Sequence, residues 1–272
     1  PVYKGRFRII DSEIVIADVR QQISSGAEHI SFGDPDFFNG PGHAVKIVTA
    51  LNTEFPQISY DATIKIEHLL KHKSLIPTLK ETGCLFITTA VESVEENILK
   101  ILDKGHTKKE FELVAEITKK VGVPISPTFV PFTPWTTKQG FISLLDTIAE
   151  LGLIENVAPI QLAIRLLVPN KSFLLEIPEM QPHLLGYDQE ALSYRWRNMD
   201  KSVENLCLEV QKIVELGATN NLTRIEVFKT IYNAARDACG LEDKPFPHHI
   251  SSINTPIPSM SEPWFCCAEP TQ

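Results

Sequence analysis

The sequence predicts an α/β protein: a partial (β/α) barrel followed by a helical C-terminal extension and an irregular tail with two adjacent cysteines. Short apolar runs alternate with amphipathic segments, and the apolar runs are about 25 to 40 residues apart. This is the pattern of parallel strands joined by helical crossovers. A chain of 272 residues can hold one large α/β domain. Its 43% hydrophobic and 22% charged residues are ordinary for a protein with a sizeable core.

The first part of the chain predicts two strand–helix pairs behind an opening helix. Asp11 is placed to cap that helix and Gly26 to end it. Pro41 suits the first turn of the next helix, and Gly83 stops the third. The predicted elements are a helix over 12–26, a strand over 29–33, a helix over 41–54, a strand over 57–66 and a helix over 67–81.

The middle part predicts three more strands. Cys84–Ala90 is a continuous apolar run, typical of a strand buried on both faces. A strand is predicted over 123–132 although it contains three prolines, which disfavour the centre of a sheet. The remaining elements here are helices over 94–104, 108–121 and 137–151, and a fifth strand over 160–168.

The pattern changes after Pro169. Residues 170–198 predict loops, and two helices are predicted over 200–217 and 222–239. From Lys244 the chain is rich in proline and reads as irregular. We therefore predict a barrel core over 1–169, a loop and helical extension over 170–243, and a tail over 244–272.

Charge and cysteine content exclude several partners. The formal net charge is −8 with no long basic run, so neither nucleic acid nor an anionic membrane is an expected partner. No stretch approaches the roughly 20 apolar residues of a membrane span, and Pro1–Gly5 has no apolar targeting core. Five scattered cysteines indicate a reducing cytoplasm. The missing initiator Met and the polar opening lead us to expect further residues upstream.

Polar residues follow consecutive predicted strands, where parallel α/β sheets bind ligands. Each has a structural alternative as well: a turn for Gly33-Asp34-Pro35, a helix cap for Glu92-Ser93, and a buried salt bridge for Arg165. Taken together they favour a polar ligand site. The candidates are Gly33, Asp34, Pro35, Asp36, Lys65, Glu67, Glu92, Ser93, Phe132 and Arg165.

Two neighbouring cysteines, Cys266 and Cys267, follow an aromatic pair near the end of the chain. Adjacent sulfur ligands suit a thiophilic metal or metalloid, a redox couple or a reactive thiolate. Two free thiols on a loose terminus are the alternative. His68 and His72 form an i,i+4 pair, but without an intervening glutamate they are a poor zinc signal. The chain has no Gly-rich phosphate loop, G-x-S-x-G elbow or Cys-x-x-Cys pair.

Several of these motifs resemble the radical S-adenosylmethionine (SAM) superfamily. Residues 26–37 are similar to its second barrel strand, with the Gly/acid motif that holds the SAM amino group. Residues 91–93 and 98–107 resemble its fourth strand and following helix, where a Glu-Ser pair lies near the SAM ribose and carboxylate. Residues 131–134 stand where its adenine-side loop does. The resemblance covers about residues 5–175 and implies a TIM-like barrel, SAM and a 4Fe-4S cluster as cofactors, and a reductant such as flavodoxin or ferredoxin.

The tail, Cys266-Cys267-Ala268-Glu269-Pro270, resembles that of a radical SAM subgroup ending in CCAEP or CUAEP, where U is selenocysteine. This implies that Cys266 and Cys267 belong to the active site, as catalytic thiols or metalloid ligands. The superfamily's Cys-x-x-x-Cys-x-x-Cys cluster motif is absent, since Cys84, Cys207 and Cys239 are too widely spaced. We expect the cluster ligands upstream of Pro1, and expect this polypeptide alone to be unable to reduce SAM.

The resemblance implies a function in which reductive cleavage of SAM gives a carbon radical that acts on a small substrate. Asp34 and Asp36 would orient the SAM amino group, Glu92 and Ser93 the ribose or carboxylate, and Arg165 a carboxylate. The tail cysteines would hold or reduce a thiophilic substrate such as trivalent arsenic. Two alternatives are a non-radical α/β-barrel enzyme, with a divalent metal or a Schiff-base Lys65, and a metal-binding module that uses only the tail.

Overall fold

The computed structural model describes residues 8–241 and 257–258. They form two compact units. The first comprises the residues up to Ala90 together with Glu112–Ser126, and the second comprises Val91–Phe111 together with the residues from Pro127 onward. The second unit runs across the predicted segment boundaries at 169 and 243, and that division into segments stays a prediction.

A parallel four-stranded sheet with strand order β1-β2-β3-β4 runs through this part of the chain. Its strands are β1 His29–Phe32, β2 Ser59–Thr63, β3 Cys84–Glu92 and β4 Ile125–Phe129. The register pairs Ile30 with Tyr60, and a shift in β2 follows at Asp61, which pairs with Phe86. The mixed α/β class and the parallel sheet are confirmed, with β2 and β4 shorter than predicted.

Helices precede and connect these strands as predicted. They are α1 Ser12–Ser24, α2 Pro41–Glu54, α3 Ile66–Lys71, α4 Ile76–Glu81, α5 Glu96–Ile101, α6 Lys108–Val121 and α7 Lys138–Glu150. Asp11 caps α1 through its side chain, which accepts the Glu13 N–H at 2.8 Å. Pro41 stands at the start of α2, where its missing N–H leaves no helix hydrogen bond unmade.

The single helix predicted over 67–81 is wrong. The chain instead forms α3, a 3₁₀ turn at Lys73–Leu75 and then α4. Pro77 explains the break, because in a helix interior its ring clashes with the carbonyl four residues earlier and it has no N–H to donate. At the start of α4 the same residue is tolerated.

The fifth strand predicted over 160–168 is also wrong. The segment opens with a 3₁₀ turn at Pro159–Leu162 and then makes an isolated parallel bridge between Arg165 and Phe132. The partner segment limits the pairing, because Pro131 and Pro134 flank Phe132 and have no N–H for a ladder. Phe132 donates to the Ile164 carbonyl at 3.2 Å and accepts from Leu166 at 2.9 Å.

The predicted loop region 170–198 contains an antiparallel hairpin, β5 Leu184–Asp188 and β6 Ser193–Trp196. Leu185, Tyr187 and Leu192 are exposed on it, so it lacks the buried alternation by which a strand is detected. Trp196 of β6 belongs to an apolar cluster in the second unit. The buried members of this cluster are Val130, Ile164, Leu166, Val168, Met180 and Trp196.

The two predicted C-terminal helices are confirmed as α8 Lys201–Thr219 and α9 Arg224–Ala238. Thr223 and Glu226 form a reciprocal capping box at the start of α9. Within the described residues, no helix is both long enough and apolar enough to cross a membrane.

Candidate functional site

The loop after β1 in the first unit carries the predicted Gly33-Asp34-Pro35-Asp36 motif. Asp34 shapes the loop, because its Oδ1 accepts the Asp36 N–H at 2.9 Å, the geometry of an Asx turn. Gly33, Asp34 and Pro35 are exposed, and a Cβ built on Gly33 would meet no atom of the described residues within 4 Å. This part of the protein therefore leaves open space beside position 33.

Asp36 behaves differently from Asp34, because its side chain turns into the protein. Asp36 is 5% exposed, and its Oδ1 accepts the Lys65 N–H at 3.3 Å. Its Oδ2 lies 2.7 Å from His68 Nδ1 and 3.9 Å from Lys65 Nζ. Lys65 Nζ is also 3.7 Å from Glu67 Oε1. The structure thus brings the predicted Asp36, Lys65 and Glu67 together, with His68 as an added member.

The end of β3 in the second unit carries a strained backbone. Glu92 has φ 64°, and the Ser93 N–H donates to the Val91 carbonyl at 2.8 Å. A bond from i+2 to i around a positive φ defines the rare and strained form of the γ-turn. Glu92 also accepts Lys104 Nζ at 2.7 Å and, through its carbonyl, the Val130 N–H at 2.9 Å. Strain of this kind persists at ligand-binding sites more often than elsewhere.

Polar contacts continue from this turn through Ser93 to Glu95. Ser93 is 7% exposed and accepts the Glu95 N–H at 3.1 Å, the contact of an ST-turn. The helix cap considered for Glu92-Ser93 is not formed, because Glu95 is the residue that precedes α5 and no side chain caps this helix. Glu95 in turn accepts Thr137 Oγ1 at 3.3 Å at the start of α7, and burial raises the pKa of its carboxyl. Sequence reasoning missed Glu95, whose surroundings are set by α7, more than 40 residues away.

Gly140 in α7 provides the space for that carboxylate. A Cβ at position 140 would lie 2.0 Å from the Glu95 carboxyl carbon, so any side chain there displaces it. Gly140 and the half-buried Glu95 are therefore fitted to each other.

The aromatic and arginine candidates occupy structural positions. Phe132 is 1% exposed and its ring packs against Phe141 at 4.9 Å. Arg165 makes a two-point contact with Glu204 at 2.9 and 3.2 Å, donates to the Trp196 carbonyl at 2.7 Å, and lies 3.7 Å above the Trp196 ring. These contacts are those of the salt-bridge alternative. The ligand roles of Phe132 and Arg165 stay predictions.

Cys266 and Cys267 lie outside the described residues, as does His248-His249. The described cysteines, Cys84, Cys207 and Cys239, are free thiols. Burial raises the pKa of Cys84 to about 12, so it remains protonated near neutral pH. In the described ranges, no group of three or more His, Cys, Asp or Glu side chains is arranged to hold a metal ion.

Arg224 holds two residues of the predicted tail, Ile257 and Pro258, in the second unit. Ile257 is 7% exposed, and its carbonyl accepts Arg224 Nη1 at 3.1 Å, while the Pro258 carbonyl accepts Nη2 at 3.3 Å. The Glu155 carbonyl is a third acceptor. A cation at the first turn of α9 is opposed by the helix dipole, so these carbonyls explain the arginine better than the helix does.

No protein-family model matches the chain. In sequence it is 25% identical over 175 residues to a tRNA-2-methylthio-N(6)-dimethylallyladenosine synthase of Fusobacterium nucleatum, covering 56% of this chain and 37% of that protein. In structure it is similar to the cobalamin-dependent S-adenosylmethionine radical enzyme OxsB with aqua-cobalamin and S-adenosylmethionine bound. The TM-score is 0.67 at 12% identity, over 85% of this chain and 42% of OxsB.

The selenomethionine-labelled apo form of OxsB gives a TM-score of 0.64 at 14% identity, over 78% of this chain and 38% of that one. The chain therefore has a mixed α/β fold similar to that of OxsB, and it spans less than half the length of these relatives.

Proposed function

We propose that this chain is part of a radical SAM enzyme and forms a partial barrel of that type. The observation that carries the proposal is the fold shared with the SAM radical enzyme OxsB over 85% of the chain. The similarity to the methylthio-adenosine synthase supports it.

The exposed loop after β1 is the part of the first unit that fits SAM best. Asp34 presents a carboxylate to solvent beside the open space at Gly33, and Glu67 presents a second one after β2. Carboxylates hold an ammonium group through charge-assisted hydrogen bonds. We assign the SAM amino group to Asp34. Asp36, buried against His68, contributes to the shape of the loop.

In the second unit we assign contacts with the SAM ribose or carboxylate to Glu92 and Ser93, as the resemblance implies, and the strained turn supports a role for this position. When bound, a 4Fe-4S cluster supplies the electron for reductive cleavage of a SAM carbon–sulfur bond. The described residues do not fit such a cluster, because their cysteines are single and apart. We therefore place its ligands outside them.

The finer parts of the proposal concern the tail and the setting. We propose that Cys266 and Cys267, as in CCAEP-tail proteins, hold or reduce a small thiophilic substrate, for which trivalent arsenic is one candidate. The reductant would be a flavodoxin or ferredoxin, in the cytoplasm. The arsenic assignment is supported only by the affinity of thiolates for soft centres.

A Schiff-base role for Lys65, one of the alternatives, fits the structure less well. Its ammonium lies within 4.0 Å of two carboxylates. Lysines that form Schiff bases are activated by apolar surroundings or by a neighbouring cation instead.

SAM binding by this chain tests the loop assignment. Asp34→Asn removes the charge but keeps an oxygen that can accept the Asp36 N–H, so the loop is retained. Loss of a hydrogen bond to a charged group costs about 1.5–3 kcal/mol, so we expect SAM affinity to fall at least about tenfold. Asp18→Asn, at an exposed position on α1, is the matched control and should bind like the wild type. Equal binding by the two variants contradicts the assignment.

Iron and sulfide analysis under anaerobic conditions tests the enzyme class. Protein from the complete gene should contain a cluster and cleave SAM on reduction, whereas this chain should do neither. A complete protein without iron and without SAM turnover would refute the radical SAM proposal.

A further inference from the structure

The contact between Asp36 and His68 has a chemical use beyond shaping the loop. His68 Nδ1 and Asp36 Oδ2 are 2.7 Å apart, with side-chain exposures of 18% and 7%. Both atoms are fully buried, and neither has a hydrogen-bond partner in the part of the chain that the structure describes. A carboxylate that orients an imidazole through one ring nitrogen leaves the other nitrogen for proton transfer.

The Asp36–His68 contact has the distance of a hydrogen bond but not its angle. The separation is that of an ion pair or hydrogen bond, but the alignment falls outside hydrogen-bond limits. At 2.7 Å the two atoms are close enough for a hydrogen bond once the His68 ring turns its Nδ1 toward Oδ2. Without the bond, two polar atoms would stay buried and unsatisfied, which native proteins rarely tolerate.

The surroundings of Asp36 decide which nitrogen of His68 carries the proton. The other oxygen of Asp36 already accepts the Lys65 N–H, so Oδ2 is left to accept from His68. The charged and titratable neighbours are Lys65, Glu67 and the His72 ring, 6.1 Å from that of His68. A neutral His68 therefore carries its hydrogen on Nδ1 and its lone pair on Nε2.

We propose that Asp36 and His68 form an acid–base dyad at the loop after β1, in which His68 Nε2 accepts a proton from an ammonium or hydroxyl group of the bound ligand. The proton moves from the ligand nitrogen or oxygen to Nε2, and the electron pair of that bond stays on the ligand atom. The imidazolium is held by the Asp36 carboxylate and later returns its proton to solvent, to which the His68 side chain is 18% exposed. The identity of the ligand as SAM rests on the proposed function.

The tautomer of His68 in solution tests the dyad. In histidine-labelled ¹⁵N protein at about pH 8.5, above the ordinary pKa of histidine, wild-type His68 should carry its proton on Nδ1. In Asp36→Asn the amide oxygen stays with the Lys65 N–H and the amide NH₂ faces His68, so the proton should move to Nε2. His68→Gln assigns the signal, and His72→Gln should leave it unchanged. A wild-type Nε2–H tautomer overturns the proposal.

Addition of SAM separates an acid–base role from a structural one. A shift of the His68 Nε2 resonance on SAM binding supports the proposal. SAM binding that leaves this resonance in place overturns it and leaves the proposed function intact. If no SAM binds to the chain, the assignment of the SAM amino group to Asp34 fails, and the tautomer in wild type and Asp36→Asn still decides the dyad. If Asp36→Asn does not fold, the wild-type tautomer alone decides it.

Discussion

Replacing Glu92 by glycine and, separately, by alanine measures the strain in the γ-turn at the end of β3. Both substitutions remove the carboxylate that accepts Lys104 Nζ at 2.7 Å, so the loss of this ion pair is common to them. The two variants differ in the backbone, because only glycine adopts a φ of 64° without steric cost. Their difference in the free energy of unfolding therefore reports the strain.

The magnitude follows from the conformation. A non-glycine residue with positive φ costs about 1–2 kcal/mol, whereas at ordinary positions alanine is more stable than glycine by about 0.5–1 kcal/mol. The strain should outweigh that preference, so Glu92→Gly should be more stable than Glu92→Ala by about 1 kcal/mol. The shared loss of the partly buried Lys104 pair should lower both variants by up to about 1 kcal/mol.

Urea unfolding followed by tryptophan fluorescence measures this difference, since Trp135 and Trp196 lie in the second unit with Glu92. The midpoints should separate while the dependence on urea stays the same. Lys104→Met, which removes only the charge, gives the ion-pair part separately. If Glu92→Ala is as stable as Glu92→Gly or more stable, the turn is not strained and the argument from strain to function fails.

Three further predictions concern buried groups. Burial raises the pKa of Glu95, so its stabilising neutral form is present below the ordinary value of 4.5 and lost as pH rises through the folded value; Glu95→Gln should therefore raise the melting temperature at pH 7 and not at pH 4, and the reverse pattern contradicts this. At pH 8 iodoacetamide should label Cys239 before Cys84, whose pKa is about 12, as peptide mass spectrometry would show. Gly217→Ala places a Cβ 2.5 Å from Val227 Cγ2 and should cost about 1–2 kcal/mol of stability; with Val227→Ala the costs should be less than additive in urea unfolding, and additivity would refute the clash.

The local sequence pattern was sufficient to predict those helices and strands that are marked by a continuous apolar run or by a capping residue. Cys84–Ala90 predicted β3, and Gly83, with φ 95°, marks the turn that precedes it. The parallel sheet followed from the alternation of helices and strands, whereas its strand order is known only from the structure. The strand predicted over 160–168 is wrong because an apolar run does not show whether the neighbouring segment can pair with it. Here the neighbouring segment contains Pro131 and Pro134, which have no N–H for a strand ladder.

The sequence predicted which strand ends carry the candidate site residues, but it did not predict which side chains contact each other there. Asp36 and His68 are 32 residues apart, and the pairing of β1 with β2 brings them together. From sequence, His68 was considered only with His72 on the same helix. Likewise, nothing near Arg165 in the chain indicates Glu204, which reaches it from α8. Such partners depend on tertiary structure, which periodicity does not contain.

The contacts of Arg224 with Ile257 and Pro258 set a lower limit on the effective concentration of the tail thiols near that point. Eight residues lead from Pro258 to Cys266, and a fully extended chain of that length spans at most about 29 Å. One thiol confined to a sphere of that radius has an effective concentration on the order of 10 mM. If the tail cysteines act as proposed, a soft ligand within that distance of Pro258 would meet them at the concentration of a concentrated thiol reagent, and its capture would be an intramolecular step.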